Sequence, residues 1–345
     1  MSGSRPLVLL DPFPRNNAMI LRPADRARLE AMAELRTVES GALPDATVEA
    51  SLPDVVAILG QTPLPAARIA RAPRLKAVFN VEGNFFPNVD YAACFARGIR
   101  VGCVAPVFAR PVAEYALALT LDVMRGVTAA DRAFRRCEEA YGWRGNIDAC
   151  TLYGASIGIV GFGNIARALV PLLKPFGGPL RVFDAWLPDA LVREHGVEPV
   201  ALEFLLSNSQ VVIVLAAATA TNRHFLGAAE LGRLRDGCKL VLLSRPDVVD
   251  HDALHAALRS GRIEAAIDVF PDEPVAVDDP IRTMERTILS SHRAGGLAET
   301  LLEIGTMATD DLELVLRGLP PVRLQMAQPE TIGLQRSRPG LPLER

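Results

Sequence analysis

The chain lacks the features that would direct it to a membrane, a nucleic acid or an oxidising compartment. No apolar run in its 345 residues is long enough to span a bilayer. Neither sign of charge dominates: 37 Lys and Arg against 40 Asp and Glu leave a formal net charge of -3. That balance exerts no pull toward nucleic acid or an anionic membrane, and neither is expected as a partner. Cysteine is sparse. Cys94, Cys103, Cys137, Cys150 and Cys238 make an odd number with no C-x-x-C pair, a pattern that suits a reduced, cytoplasmic chain with structural thiols. The opening Met-Ser-Gly-Ser-Arg-Pro has no charged region followed by an apolar core, so no secretory leader is expected.

What is present is ample core material. Half the residues are hydrophobic and 22% are charged, and the length suggests two domains. The most informative stretch is Ala155-Ser-Ile-Gly-Ile-Val-Gly-Phe-Gly-Asn-Ile-Ala-Arg167. Residues 156–160 are a short uncharged run with β-branched side chains, which predicts a strand. Gly161, Gly163 and Ala166 follow at the spacing G-x-G-x-x-A. Ala168, Leu169, Leu172 and Leu173 then recur at helical spacing until Gly177-Gly178 stops them. A second strand, 180–183, ends on Asp184, 21 residues beyond Gly163.

Each residue type there has a physical job. Gly161 allows the tight turn, Gly163 lets a pyrophosphate approach the backbone, and Ala166 keeps the helix close to the sheet. The pyrophosphate sits on the N–H groups of the helix start, at Asn164 and Ile165, where the dipole is positive. Asp184 would accept hydrogen bonds from ribose hydroxyls and repel a 2′-phosphate. No Arg follows it closely (Ala185, Trp186), which favours NAD over NADP. A chance glycine turn has the same spacing, but strand, helix and acid here all stand where a dinucleotide needs them.

Upstream, strand signals at 6–10, 54–59, 75–81 and 99–101 alternate with helices at 24–33, 66–71 and 91–96. This predicts a parallel sheet with helical cover. The segment Glu82-Gly-Asn-Phe-Phe-Pro-Asn88 follows the carboxyl end of a strand, where open α/β sheets place ligands. Gly83 could offer consecutive N–H groups to a substrate carboxylate. An ordinary loop with its two aromatics packed downward fits equally well. A helix from Arg110-Pro111 to Gly126 is apolar on most sides and predicted to be buried, a subunit interface being one reading. A second, over 129–141, carries a charged face, and 143–153 is irregular.

Downstream, strands at 211–215, 239–243, 265–269 and 287–290 alternate with helices at 203–207, 228–234 and 251–260, giving a Rossmann-type sheet of about six strands. Small residues from Ala216 onward suit a cofactor lying across a strand end. Three polar residues stand where strands run out: Arg245, Glu273 and His292. Arg245 could hold a carboxylate bidentately and polarise the adjacent carbonyl. His292 could exchange the hydroxyl proton near neutral pH. Glu273, in contact with the imidazole, would orient it and favour imidazolium. Taken singly, each is also a solvated loop charge, a turn acid or a surface His; it is their company with the glycine turn that points to catalysis. His251 and His255, four apart, could be a metal pair, but no third ligand is evident and an exposed helix face accounts for them, so no metal is expected. His195 and His224 read as surface residues.

The chain resembles the D-isomer-specific 2-hydroxyacid dehydrogenases over residues 75–318. The resemblance rests on Gly161-Phe-Gly-Asn-Ile-Ala166 with Asp184, Leu243-Ser-Arg245, Val249-Asp-His-Asp-Ala-Leu254, Ala257-Leu-Arg-Ser-Gly-Arg262, Asp268-Val-Phe-Pro-Asp-Glu-Pro274 and His292-Arg-Ala-Gly295. It implies Arg245, Glu273 and His292 as the catalytic set, and Glu82, Gly83 and Asn84 with Arg245 as substrate-binding residues. It places Asp268 near the nicotinamide carboxamide, and Ala217, Ser244 and Gly295 near the cofactor. It implies two Rossmann-like or flavodoxin-like α/β domains with doubly wound parallel sheets. A cofactor domain, 105–293, would be inserted into a discontinuous substrate domain, 1–104 and 294–330, with a tail over 331–345 and no regulatory domain after it. The cleft would close about its hinges, homodimers would form through the cofactor domains, and a small 2-keto or 2-hydroxy acid would react with NAD(H). Three departures stand out: Pro246 where Gly is usual, Ser291 where Pro is usual, and the uncommon Glu82-Gly-Asn84. The stretch from Pro320 reads as an arm or a disordered tail. Pro246 keeps open an NAD(H)-sensing scaffold of the same fold. Formate or phosphite oxidation is a third reading, and Glu273 rather than Gln argues against formate.

Overall fold

The structure, a computed structural model, describes residues 5–335; the last ten residues of the expected tail lie outside the described residues. Contacts divide the chain into two compact units. One holds the residues up to Phe108 and those from Gly296 onward, the other Ala109–Gly295. Among the described residues no helix is long and apolar enough to cross a membrane.

Unit one is built on β1 (Leu7–Asp11), β2 (Glu34–Thr37), β3 (Val55–Gly60), β4 (Ala77–Asn80) and β5 (Arg100–Cys103), all paired in parallel. The near-continuous apolar runs of β1, β3 and β4 are those of strands covered on both faces. Side-chain alternation sorts them accordingly. Val8, Leu10, Leu59 and Phe79 face one core with Ile304, Met307 and Leu312 of the helix Ala298–Leu316. Leu9, Ile58, Val78 and Val101 face the other with Val48, Leu52, Ile69 and Cys94. This is the doubly wound arrangement.

Unit two carries β6 (Ile157–Val160), β7 (Leu180–Phe183), β8 (Glu198–Pro199), β9 (Val211–Val214), β10 (Lys239–Leu242), β11 (Glu264–Ile267) and β12 (Thr287–Leu289). They lie in the order β12-β11-β10-β9-β6-β7-β8, all parallel. The sheet has seven strands rather than about six because β8, two residues long, adds an edge with no apolar run to announce it. Val160 lies level with Phe183 and Val214, and Leu242 with Val214 and Ile267, so the carboxyl ends of the central strands form one rim.

Two expectations are corrected. The charged helix spans Val127–Arg135, not 129–141. It ends where Cys137 takes φ 58°, a left-handed turn out of the helix. The stretch from Pro320 is not an arm over its described part. β13 (Gln325–Met326) pairs antiparallel with β5, completing the order β13-β5-β4-β3-β1-β2. Buried Asp311 on the helix Ala298–Leu316 accepts the N–H groups of Val322, Arg323 and Leu324 at 2.8–3.1 Å. Leu324 and Ala327 are buried as well. A two-residue strand held by a carboxylate leaves no periodic signature in sequence.

Candidate active site

At the rim of unit two, β6 ends in Gly161 with φ 92°. A Cβ there would stand 2.6 Å from the backbone of Ala216, so both the conformation and the close approach require glycine. Gly163 is the N-cap of the helix Asn164–Leu173, and a Cβ on it would meet nothing within 4 Å. The space beside that backbone is therefore open. Asn164 and Ile165 form the first turn and Ala166 is fully buried against the sheet.

Asp184 leaves β7 beside this turn. One oxygen accepts the Phe162 N–H at 2.7 Å; the other accepts those of Trp186 and Leu187 at 2.9 and 3.0 Å. The carboxylate thus ties the glycine turn to the next strand end. Phe162, buried beneath, meets the His195 ring edge-on at 5.2 Å and lies under the Arg167 guanidinium. His195 is thus partly packed rather than simply on the surface. Ala217 follows β9, and its carbonyl accepts the Asn222 amide at 2.7 Å. Ser244, just after β10, has a buried hydroxyl oxygen without a protein partner. An open glycine at a helix start, an acid at the neighbouring strand end and an orphaned hydroxyl on the same rim fit a dinucleotide.

Arg245 caps the short 3-10 turn Pro246–Val248, whose close is the Val249 N–H to Pro246 carbonyl bond at 3.0 Å. Pro246 occupies the first position of that turn, where its fixed φ suits and its missing N–H is not needed. The loop therefore accommodates the departure.

A further cluster of the rim follows the carboxyl ends of β11 and β12. His292 Nδ1 is 2.7 Å from Glu273 Oε2, and Glu273 Oε1 accepts the Phe270 N–H at 3.0 Å. His292 has φ 49°, a left-handed conformation that costs a non-glycine residue about 1 kcal/mol or more. Asp268 holds it there. Its carbonyl accepts the His292 N–H at 2.8 Å. Its buried carboxylate accepts the Ser290 hydroxyl at 2.5 Å and the N–H groups of Arg293 and Ala294 at 3.1 and 3.3 Å. The Tyr115 hydroxyl lies 2.7 Å from Ser290 Oγ and, with that hydroxyl's proton given to Asp268, is the donor. Gly295 closes the segment. Tyr115 and Ser290 were not singled out from sequence; position 290 at a strand end was the available signal, whereas Tyr115 sits in a helix with no local motif.

In unit one the loop after β4 has Glu82 buried and paired with Arg15, whose Nη1 also donates to the Val81 carbonyl at 2.8 Å. Gly83 lies under the Phe108 ring, where a Cβ would come within 3.0 Å. Phe85 and Phe86 are buried, and Tyr91 donates to the Phe86 carbonyl at 2.6 Å. The aromatics do pack downward, so they shape the loop from beneath, with Asn84 left at its half-buried tip. Arg15, in Pro12-Phe-Pro-Arg15 after β1, was also missed: its partners are 66 and more residues away.

His251 and His255 pack edge to face with ring centroids 6.4 Å apart. They do not form an exposed face. Both are half-buried, His251 Nε2 is enclosed without a partner, and burial lowers the His251 pKa below its ordinary value. His224 is exposed.

Comparison with known proteins agrees with this geometry. Residues 117–294 match the model of the D-isomer specific 2-hydroxyacid dehydrogenase, NAD binding domain. A glyoxylate reductase of Korarchaeum cryptofilum is 33% identical over 78% of this chain and 81% of its own length. A D-3-phosphoglycerate dehydrogenase of Mycobacterium leprae is 30% identical over 85% of this chain, which spans only 54% of that relative. The crystal structure of a phosphoglycerate oxidoreductase from Rhizobium etli superposes with a TM-score of 0.85 and 41% identity, covering 95% of this chain and all of that one. With the glycine turn, its acid and the Glu273–His292 pair on one sheet rim, the chain belongs to the D-isomer-specific 2-hydroxyacid dehydrogenases.

Proposed function

We propose that the protein interconverts a small 2-keto acid and the D-2-hydroxy acid using NAD(H). The observation that carries this reading is the Glu273–His292 couple at 2.7 Å, on the same rim as the glycine turn. Bound NADH supplies the hydride. The rest is the work of the chain. Gly161, Gly163, Asn164 and Ile165 hold the pyrophosphate, and Asp184 the ribose. Ala217, Ser244, Asp268 and Gly295 line the remainder of the cofactor site. Arg245 anchors the substrate carboxylate and polarises its carbonyl. Glu273 occupies His292 Nδ1, which leaves Nε2 to give a proton to the carbonyl oxygen in reduction and to take it back in oxidation. In unit one, the loop Glu82-Gly83-Asn84 offers backbone N–H groups to a carboxylate.

Asp184 at the ribose, with Ala185 and Trp186 after it and no cation beside them in sequence, supports NAD over NADP. Homodimerisation through unit two is supported by a run of exposed apolar side chains between its long helix and β6: Val127, Phe134, Tyr141, Trp143, Ile147 and Tyr153. A cytoplasmic location is supported by five free thiols. Pro246, the feature that favoured a sensing scaffold, sits in a turn that accepts it, so nothing in the site favours that alternative.

The test is a panel of 2-keto acids with NADH, read at 340 nm. Consumption on at least one acid is expected, with His292→Ala losing at least about a hundredfold in kcat while NADH affinity is kept. Tight NADH binding with no consumption on any acid, or full turnover in His292→Ala, would reject the proposal.

A further inference from the structure

Glu82 poses a problem for the loop on which it sits. A carboxylate beside backbone N–H groups meant for another carboxylate should oppose substrate binding, because like charges in a partly buried place repel strongly. The structure answers with a residue from another strand end. Arg15, on the loop after β1, pairs with Glu82 Oε1, and its Nη1 also holds the Val81 carbonyl at 2.8 Å. Both side chains are nearly enclosed, 14% and 11% exposed. The next acid, Asp11 at the end of β1, is engaged elsewhere: it accepts the Leu43 N–H at 2.9 Å and the Thr62 hydroxyl at 2.6 Å. On the other side of the loop, the Glu82 carbonyl accepts the Val104 N–H at 3.2 Å. The peptides either side of Glu82 are therefore fixed at Val81 by a guanidinium and at Glu82 by the backbone after β5.

We propose that Arg15 is a positioning and charge-selecting residue for the carboxylate-binding loop 82–84. It fixes the peptide that enters the loop, and it cancels Glu82 so that an incoming 2-keto acid meets a neutral rather than a negative surface. The pair lets the protein accept 2-keto acids with an anionic side chain as well as neutral ones. The inference rests on the catalytic reading above, and it makes Glu82 a regulator of side-chain charge only through its partner.

The experiment is a double-mutant cycle, Arg15→Met, Glu82→Gln and both together. It reads kcat and KM for the best neutral and the best anionic-side-chain substrate of the panel, with the NADH dissociation constant measured alongside. Arg15→Met leaves an unpaired buried carboxylate. KM should rise at least about tenfold, more for the anionic substrate than for the neutral one, with kcat and NADH affinity changing little. Glu82→Gln leaves the guanidinium unopposed and should shift the anionic-to-neutral preference the opposite way. The double variant should recover most of the KM lost in Arg15→Met. Opposite shifts in preference are not what loss of packing produces, and Glu82→Gln alone reports its half of the effect should Arg15→Met fail to fold. Unchanged KM in Arg15→Met, a double variant no better than it, or an unmoved preference in Glu82→Gln would overturn the inference and leave the catalytic reading standing. Absence of turnover in the wild-type chain would end both.

Discussion

Two glycines of one turn should answer the same substitution in opposite ways, and the difference follows from their surroundings. Gly163→Ala adds a methyl group into space where nothing of the chain lies within 4 Å, at a backbone angle of φ −79° that alanine adopts freely. Alanine at an N-cap costs about 1 kcal/mol, and the loss of a glycine from the unfolded chain returns about 0.4–1 kcal/mol. The two terms nearly cancel, so the melting temperature should move by no more than about 2–4 °C. On the proposed assignment, the same methyl stands where a pyrophosphate would approach. An N–H bond to a charged oxygen is worth about 1.5–3 kcal/mol, so losing one weakens NADH binding about ten- to a hundredfold. Gly161→Ala is the reverse case. Its φ of 92° is outside alanine's range and its Cβ would be 2.6 Å from Ala216. Left-handed strain of about 1–2 kcal/mol adds to overpacking of about 1–3 kcal/mol, and the protein should lose stability before any ligand is considered. Scanning fluorimetry and NADH fluorescence titration on both variants separate the cases. Gly163→Ala binding NADH like the wild type, or melting as early as Gly161→Ala, would refute the assignment of this turn to the cofactor.

The thiols should divide by burial. Burial pushes Cys94 up to about 11 and Cys103 and Cys238 up to about 12, while Cys137 and Cys150 are exposed. A raised thiol value means almost no thiolate at neutral pH, and the thiolate is the nucleophile. Iodoacetamide at pH 8 should therefore label Cys137 and Cys150 quickly and the other three only after denaturation; rapid labelling of Cys238 in the native protein would contradict its placement. Asp311→Ala should cost about 2–4 kcal/mol in urea unfolding, because the half-buried Arg323 N–H and the buried Leu324 N–H lose a charged acceptor. The same change should speed hydrogen exchange at residues 322–324; unaltered exchange there would mean that the carboxylate does not hold the segment.

Much of the fold was legible because parallel strands covered on both faces are written as short apolar runs. Val211–Val214 and Lys239–Leu242 announce themselves in this way, and so does the strand–turn–helix of Ile157–Leu173. The strands that escaped notice, Glu34–Thr37, Glu198–Pro199 and Gln325–Met326, are all outermost in their sheets. An edge strand is short and half-solvated, so its composition is that of a loop. The polar site divides along the same line. Asp184, Asp268, Glu273 and His292 were legible because each follows a strand that could itself be read, and a doubly wound sheet delivers every such residue to one rim. Arg15, Tyr115 and Ser290 act on residues far along the chain, across separations of 66 residues for Arg15 with Val81 and 175 for Tyr115 with Ser290. No local pattern encodes a partner at that distance. Glu82 is a case in point: its charge is visible in the sequence, and the cation that pairs with it became visible only when β1 and β4 were placed in one sheet.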